Sequence, residues 1–157
     1  MAVRRSVALE FRIFGAELDC GTAAKSGGDV YALYKVLRAG YNIAYAPAAL
    51  AWHRHRKSYE ELERMLYGYS VGGYCVLLSA LMRDKDLDAL LIGVRWFFEY
   101  HLAELLKTLR RQPGGRPLRL ILTEIKGALY APVAYWCCRR RERAIDALLE
   151  DRMVQPS

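Results

Sequence analysis

The feature that most constrains this chain is a long uncharged stretch near its middle. Residues 65–82 contain no Asp, Glu, Lys or Arg, and Arg64 and Arg83 stand at the two ends. The stretch reaches the length at which a membrane-spanning helix must be considered. Its glycines, serines and tyrosines make it a poor hydrocarbon segment, so we interpret it as a packed or interfacial helix. Gly68 and Gly72 either permit the close approach of another helix or mark a turn between two helices.

A capping box predicts where this helix begins. Ser58 is followed three residues later by Glu61, a pair that satisfies the first backbone N–H groups of a helix. The apolar residues after this pair repeat on one helical face. We therefore expect the helix to start at Ser58.

A further helix is predicted to begin in an acidic turn. Asp84, Asp86 and Asp88 suit the positive end of a helix dipole, and a metal site is the alternative for these carboxylates. The apolar stripe of this helix comprises Leu87, Leu90, Leu91, Val94, Phe98, Leu102 and Leu105. Residues 112–115 then form a linker, and Pro132 kinks or breaks the final helix. One side of that final helix carries Leu118, Ile121, Leu122, Ile125 and Leu129.

A second capping pattern predicts a helix nearer the N-terminus. Ser26 is followed three residues later by Asp29, an apolar face repeats behind them, and Gly40 ends the run. Such a helix places the Asp29 carboxylate in its first turn, at the end of an element, where sites are usually built.

Two strands are predicted to follow this helix. Residues 41–45 alternate apolar and polar side chains as a half-buried strand does, and residues 48–52 form a second apolar run. The second run delivers His53 to its end. Helices and strands together predict an α/β fold that is mostly helical.

These residues carry a resemblance to a known family. The order Gly28-Asp29, Leu37-Arg38-Ala39-Gly40-Tyr41, Tyr45-x-Pro47-x-Ala49 and His53-x-His55-Arg56 resembles the acceptor-side half of a family 2 glycosyltransferase with the GT-A fold. Residues 1–7 and 18–22 are also similar to pieces of that family. The resemblance implies that residues 1–57 are the C-terminal part of a Rossmann-like GT-A catalytic domain. Residues 58–157 would then be a helical, basic, membrane-peripheral tail, and we interpret the chain as a C-terminal fragment.

The resemblance also implies roles for individual residues. Asp29 matches the aspartate that acts as general base on the acceptor hydroxyl, and His53 matches a histidine that helps to hold the metal and the diphosphate. Substrate binding is implied for Thr22, Lys25, Gly27, Gly28, His55 and Arg56. The alternative for the loop over residues 22–28 is a surface connection that only leads to the helix.

The implied reaction moves a sugar from a nucleotide-sugar donor to a hydroxyl acceptor with inversion. The acceptor would be a glycan or lipid-linked, in the synthesis of cell-surface polysaccharide or glycoconjugate. The implied cofactor is a divalent metal, Mg or Mn, with its main ligands upstream of this chain.

Departures from the family pattern support a second interpretation. Gly15, Ala16 and Tyr31 stand where the family usually has other residues. On this interpretation the chain is a non-catalytic helical module that binds a membrane or a partner chain, the remnant of a degenerate transferase.

The charge balance predicts anionic partners. The 24 Lys and Arg outnumber the 17 Asp and Glu, which gives a formal net charge of +7. We expect the phosphates of a nucleotide sugar and an anionic membrane surface, and no nucleic acid, since the chain has no nucleic-acid-binding motif. Trp96 and Trp136 lie beside arginines, which suits either an anchor among lipid headgroups or a soluble helical core.

The cysteines and the N-terminus predict the compartment. The four cysteines form no C-x-x-C pair, and Cys75 and Cys137 are interpreted as small buried apolar residues in a reducing environment. Residues 6–14 contain charges where a signal peptide has its apolar core. We expect a cytoplasmic protein that is peripheral on the inner face of the plasma membrane.

Overall fold

A computed structural model describes residues 2–11, 13, 18–53 and 57–154, with side chains as far as residue 151. The helices within these ranges are α1 (Arg5–Glu10), α2 (Gly28–Arg38), α3 (Tyr59–Asp84), α4 (Leu87–Trp96), α5 (Ala103–Leu109) and α6 (Leu118–Val154). A π-helical turn, Phe97–Leu102, joins α4 to α5. These described ranges contain helices and no strand, so the predicted α/β fold with part of a GT-A sheet is wrong.

The two predicted strands are the source of that error. Residues 41–45 and 48–52 have no regular structure, and their side chains point into solvent, Trp52 with 103% of its reference area exposed. A strand needs a neighbour to share its backbone hydrogen bonds. The described part of the chain supplies no such neighbour, so alternation of apolar residues alone does not make a sheet here.

Helix α3 begins and ends with recognisable caps. The Glu61 backbone N–H donates to Ser58 Oγ at 3.1 Å, and the Ser58 N–H donates to the Glu61 carboxylate at 3.3 Å, which confirms the capping box. The helix ends at Lys85, whose φ of 57° is left-handed. The alternative prediction of a turn at Gly68 and Gly72 is wrong, since α3 continues through both residues.

Helices α3 and α6 pack side by side and run in the same direction. Near their starts Glu63 pairs with Arg119 at 2.7 Å, and near the end of α3 Arg83 pairs with Glu142 at 3.0 Å. The starts of the two helices therefore lie side by side, and α6 extends beyond the end of α3. The connection between them, residues 85–117, returns along the length of α3.

The buried sides of α3 and α6, together called the inner seam, carry mostly small residues. On α3 no buried side chain is larger than valine; its buried residues are Gly68, Ser70, Val71, Gly72, Cys75, Val76, Ser79 and Ala80. Between residues 127 and 138, α6 buries Gly127, Ala128, Ala131, Ala134, Tyr135 and Cys138. Small side chains let two helices approach closely, and Ser70 Oγ donates to the Glu124 carbonyl at 2.7 Å across the seam.

The loop before α2 packs against α3. Ser26 Oγ donates to the Gly68 carbonyl at 2.9 Å, and a Cβ added to Gly72 would lie 2.5 Å from the Ser26 carbonyl oxygen. The N-cap of α2 is Gly27, with a left-handed φ of 104°. The predicted capping box of Ser26 and Asp29 is therefore wrong, because the hydroxyl is used to hold the loop on α3. A second small cluster joins α1 to α2 through Val7, Ile13, Ala32 and Val36.

The apolar stripe predicted after the acidic turn faces outward. Of the α4 side chains only Ala89 is buried, and the Trp96 ring packs against Gly73 of α3. Five large apolar residues are between 46% and 71% exposed and are called the α4 face: Leu87, Leu90, Leu91, Ile92 and Val94. Helix α4 thus packs against α3 through Trp96 at its end, while its large aliphatic side chains are exposed.

The tryptophans and cysteines divide between core and surface. Trp96 stacks on Tyr74 with ring centroids 4.7 Å apart, as in a helical core, whereas Trp136 is 53% exposed. Cys75 is buried as predicted, but Cys137 is exposed, and its neighbour Cys138 takes the buried position.

The predicted linker over residues 112–115 is confirmed, with Arg111 and Gly114 at left-handed φ values of 54° and 76°. Helix α6 continues through Pro132, so a break there is wrong, while a kink at Pro132 stays a prediction. The predicted domain boundary at residue 57 stays a prediction.

Candidate functional site

Five of the predicted site residues lie together at the start of α2. Thr22 and Lys25 stand in the preceding loop, and Gly27, Gly28 and Asp29 form the helix start. Thr22 Oγ1 donates to the Asp19 carbonyl at 2.7 Å and accepts from the Ala24 N–H at 3.2 Å. These bonds fold the loop, and a substrate role for Thr22 and Lys25 stays a prediction.

The two glycines of this group have a structural reason to be glycine. A Cβ on Gly28 would lie 2.3 Å from the Leu18 carbonyl oxygen, and a Cβ on Gly27 would lie 2.9 Å from Val76 Cγ2. Close packing therefore requires both positions to lack a side chain. Their predicted contact with a diphosphate stays a prediction.

Asp29 is exposed in the first turn of α2. Its Oδ1 accepts a hydrogen bond from the Val30 N–H at 2.9 Å, and the negative charge complements the helix dipole. The carboxylate is thus fixed at one oxygen and open to solvent. Such an arrangement can accept a proton from a hydroxyl brought to it, and the general-base role stays a prediction.

The predicted metal ligand His53 lies outside the group of site residues at the start of α2. His53 is exposed in the irregular segment after α2, and His55 and Arg56 lie outside the described residues. Across the described ranges, no group of three or more His, Cys, Asp or Glu side chains could hold a metal ion. The predicted metal role of His53 and the predicted divalent metal stay predictions, since the main ligands of that metal were expected upstream of this chain.

The acidic cluster at the α3–α4 corner has structural partners instead. Tyr31 OH donates to Asp84 at 3.0 Å, and Tyr34 OH donates to Asp86 at 2.9 Å, so both aspartates tie α2 to the corner. Asp86 also caps α4 by accepting from the Asp88 N–H at 3.1 Å. The prediction of helix-start stabilisation is confirmed for Asp86 and Asp88, while Asp84 belongs to the last turn of α3.

A polar cluster that the sequence did not indicate lies beneath the π-helical turn. His101 is 1% exposed, and its Nδ1 lies 3.8 Å from Glu124 Oε2. Arg116 donates to both oxygens of Glu124, at 2.9 and 2.8 Å, and to Tyr100 OH at 2.7 Å. Burial lowers the pKa of His101. Burial also raises the pKa of Tyr74 to about 12, and the Tyr74 hydroxyl has no hydrogen-bond partner within the described chain. Only the π-helical geometry, which sequence periodicity does not reveal, brings His101 inward.

The outer side of α6 carries a second exposed apolar surface. It is called the α6 stripe and comprises Leu118, Leu122, Leu129, Val133 and Trp136. At 1.5 Å per residue the stripe extends about 27 Å along the helix. Arg119, Lys126 and Arg140 follow it at multiples of seven residues, which places the three cations along one edge.

The predicted apolar side of this helix is divided by the structure. Leu118, Leu122 and Leu129 are exposed, whereas Ile121 is buried against the rest of the protein. The signal that separates the two sides is residue size, since all the buried positions after residue 126 except Tyr135 are small. Helical spacing alone does not show which of two apolar sides faces the core.

Comparisons with protein-family models, with curated proteins and with solved structures find no match.

Proposed function

We propose that this chain is a helical module that attaches to an anionic membrane surface through the α4 face and the α6 stripe. The observation that carries the proposal is the α4 face, where five large aliphatic side chains of one ten-residue helix stand in solvent. Exposed apolar surface of this kind is typical of interaction sites. A lipid surface fits it because the residues are aliphatic and contiguous along a helix.

The energetics favour burial of these side chains in lipid. Full burial of a leucine, isoleucine or valine side chain is worth about 1.5–3 kcal/mol. An interfacial helix sinks only its apolar side into the boundary between headgroups and acyl chains, which is the arrangement that α4 and α6 offer. Burial of several half-exposed side chains together therefore provides enough free energy for membrane binding.

The charge of the chain supports the anionic character of that surface. Each Lys or Arg close to an anionic membrane contributes about 1 kcal/mol of attraction. Lys126 and Arg140 stand beside the α6 stripe, and Trp136 lies at its end as an aromatic residue suited to the headgroup level. We propose the inner face of the plasma membrane, because the cytoplasmic leaflet carries the negative lipids.

One helix within the described residues, α3, is long and apolar enough to cross a membrane by length and composition. A core helix passes the same test, and α3 is packed by α6 on one side and by α4 and the α2 loop on others. In the proposed arrangement α3 is the core, and the helices around it make the lipid contact.

The test is co-sedimentation of the chain with vesicles of anionic or neutral lipid. Leu91→Asp, in the middle of the α4 face, is expected to weaken binding to both kinds of vesicle. Leu9→Asp in α1 is the matched control, because Leu9 is 64% exposed and Leu91 is 61% exposed. Equal effects of the two substitutions, or no binding of the unaltered chain, would contradict the proposal.

We also propose, as a second candidate, the nucleotide-sugar transfer that the resemblance implies. One observation favours it: the Asp29 carboxylate is open to solvent at a helix start, directly after the loop with Thr22 and Lys25. In a complete transferase, Asp29→Asn keeps the shape of the side chain and removes the base. Turnover is expected to fall by about 10²–10⁴-fold with donor binding retained. A rate within about threefold of the unaltered enzyme would mean that Asp29 only stabilises the start of α2 and is not the base.

A further inference from the structure

A shallow depression lies on the outer side of the first turns of α6. Its volume is about 500 Å³, and it is lined by Leu118, Arg119, Leu122, Thr123 and Lys126. The two leucines give it an apolar floor, and the other three side chains give it a polar edge. The depression therefore offers both kinds of contact that an amphiphilic molecule needs.

The polar edge is held in place from α3. Arg119 Nη2 lies 2.7 Å from Glu63 Oε2, and Thr123 Oγ1 donates to Glu63 Oε1 at 3.0 Å. Hydrogen bonds from Arg119 and Thr123 lower the pKa of Glu63, so its carboxylate stays ionised and keeps both partners fixed. The charges of Glu63 and Arg119 compensate each other, and Lys126 adds a further positive charge.

The position of the depression adds a second source of positive potential. The backbone N–H groups of a first helical turn have no partner within the helix, and the aligned peptide dipoles place partial positive charge there. Helix α6 has no acidic residue in its first turn to neutralise that charge. The depression is thus positive at the helix start and at Lys126, with apolar surface between.

We infer that this depression binds the headgroup phosphate of an anionic phospholipid, with an acyl chain against Leu118 and Leu122. The inference rests on the proposed attachment to membranes and assigns one discrete lipid site within it. Charge complementarity selects an anion, and the apolar floor selects a lipid over a free phosphate ion. An acidic peptide would match the charges but would leave the leucine floor without an acyl partner.

The experiment titrates the full chain with short-chain phosphatidylglycerol below its micelle concentration and follows amide and methyl NMR signals. Shifts are expected to concentrate on residues 118–126. Lys126→Gln is expected to weaken binding about fivefold, the effect of one cation beside an anionic lipid. Arg110→Gln is the matched control, because Arg110 is an exposed cation directly after α5 and outside the depression.

Further arms separate the possible sources of the signal. Short-chain phosphatidylcholine is expected to bind more weakly, and inorganic phosphate is expected to leave the leucine signals unchanged. Leu122→Asn is expected to weaken phosphatidylglycerol binding without affecting any response to inorganic phosphate. Shifts spread over the whole surface, or equal responses to phosphate and lipid, would overturn the inference. Vesicle binding that persists unchanged in Lys126→Gln and Leu122→Asn would overturn the discrete site and leave the general attachment standing.

Discussion

The inner seam and the outer faces of this protein differ in the size of their side chains. The seam between α3 and α6 is made mostly of glycine, alanine, serine and cysteine, whereas the α4 face and the α6 stripe carry leucine, isoleucine, valine and tryptophan. Soluble domains usually place their large apolar residues inside. Helices associated with lipid use small residues between helices and large ones outside. The difference is the observation that supports the proposed membrane attachment, and α6 shows it within a single helix, with small residues mostly on its buried side and large apolar residues on its outer side.

The largest expected effect comes from adding one methyl group to α3 where the loop before α2 packs on it. In Gly72→Ala the new Cβ would lie 2.1 Å from Ser26 Oγ and 2.5 Å from the Ser26 carbonyl oxygen. We expect the free energy of unfolding to fall by about 1–3 kcal/mol, the usual cost of overpacking. Thermal unfolding followed by circular dichroism measures it.

The matched control lies one helical turn earlier. In Gly68→Ala the new Cβ would meet only Lys25 Cβ, at 3.6 Å, an ordinary contact. Alanine is a better helix former than glycine by about 0.8–1 kcal/mol, so this change is expected to stabilise α3. If both substitutions had the same effect, the close approach of this loop to α3 would not govern stability.

An intermediate effect is expected from His101, a titratable group buried beneath the π-helical turn. Glu124, Arg116, Tyr74 and Tyr100 surround it. Because its pKa is lowered in the folded protein, the unfolded chain takes up a proton first as the pH falls below about 6.5. Stability is then lost on acidification, by at most about 1.4 kcal/mol per pH unit until the folded pKa is reached.

The measurement compares urea unfolding at pH 7.5 and pH 5.5 for the unaltered chain and for His101→Phe, conditions chosen to bracket about 6.5. Phenylalanine fills the aromatic site and removes the titration, so the variant is expected to lose less stability over this interval. The same pH dependence in both proteins would show that other groups account for it.

The smallest expected effect on stability comes from the outer faces. Leu91→Ser in the α4 face removes an exposed side chain, so the free energy of unfolding in water is expected to change by no more than about 0.5 kcal/mol. The same change is expected to raise solubility and weaken vesicle binding. A loss of stability as large as that of Gly72→Ala would mean that the α4 face is part of the core.

Local signals in the sequence predicted local structure well. The capping box at Ser58, the linker after α5 and the helical region over α3 are all found, because each depends on a few neighbouring residues. The strands over residues 41–52 are not found, because a strand depends on a partner that its own sequence does not specify. The capping box predicted at Ser26 is wrong for a related reason, since the Ser26 hydroxyl donates its hydrogen bond to the carbonyl of Gly68, a distant residue of α3.

The candidate site shows the same limit. Sequence placed Asp29 correctly in the first turn of a helix, but it gave no sign that Gly27 and Gly28 are needed for close packing. It also missed His101, whose inward position depends on a π-helical turn, and it did not separate the outer stripe of α6 from the buried side. Both depend on how helices face each other, and a one-dimensional pattern does not record this.

The parallel arrangement of α3 and α6 has a consequence for the segment that connects them. At 1.5 Å per residue, the 26 residues of α3 span about 39 Å, and the chain must travel that distance back before α6 can begin. The helical run from Leu87 to Leu109 contains 23 residues and spans about 34 Å, so its length nearly matches the return path. This run is therefore a spacer of fixed length, and its position depends on its covalent connections to α3 and α6 as much as on burial. Most of its large aliphatic side chains are exposed, but its length is constrained by the path between the two helices. Removing one full turn would shift the start of α6 along α3 and misalign the contacts between them.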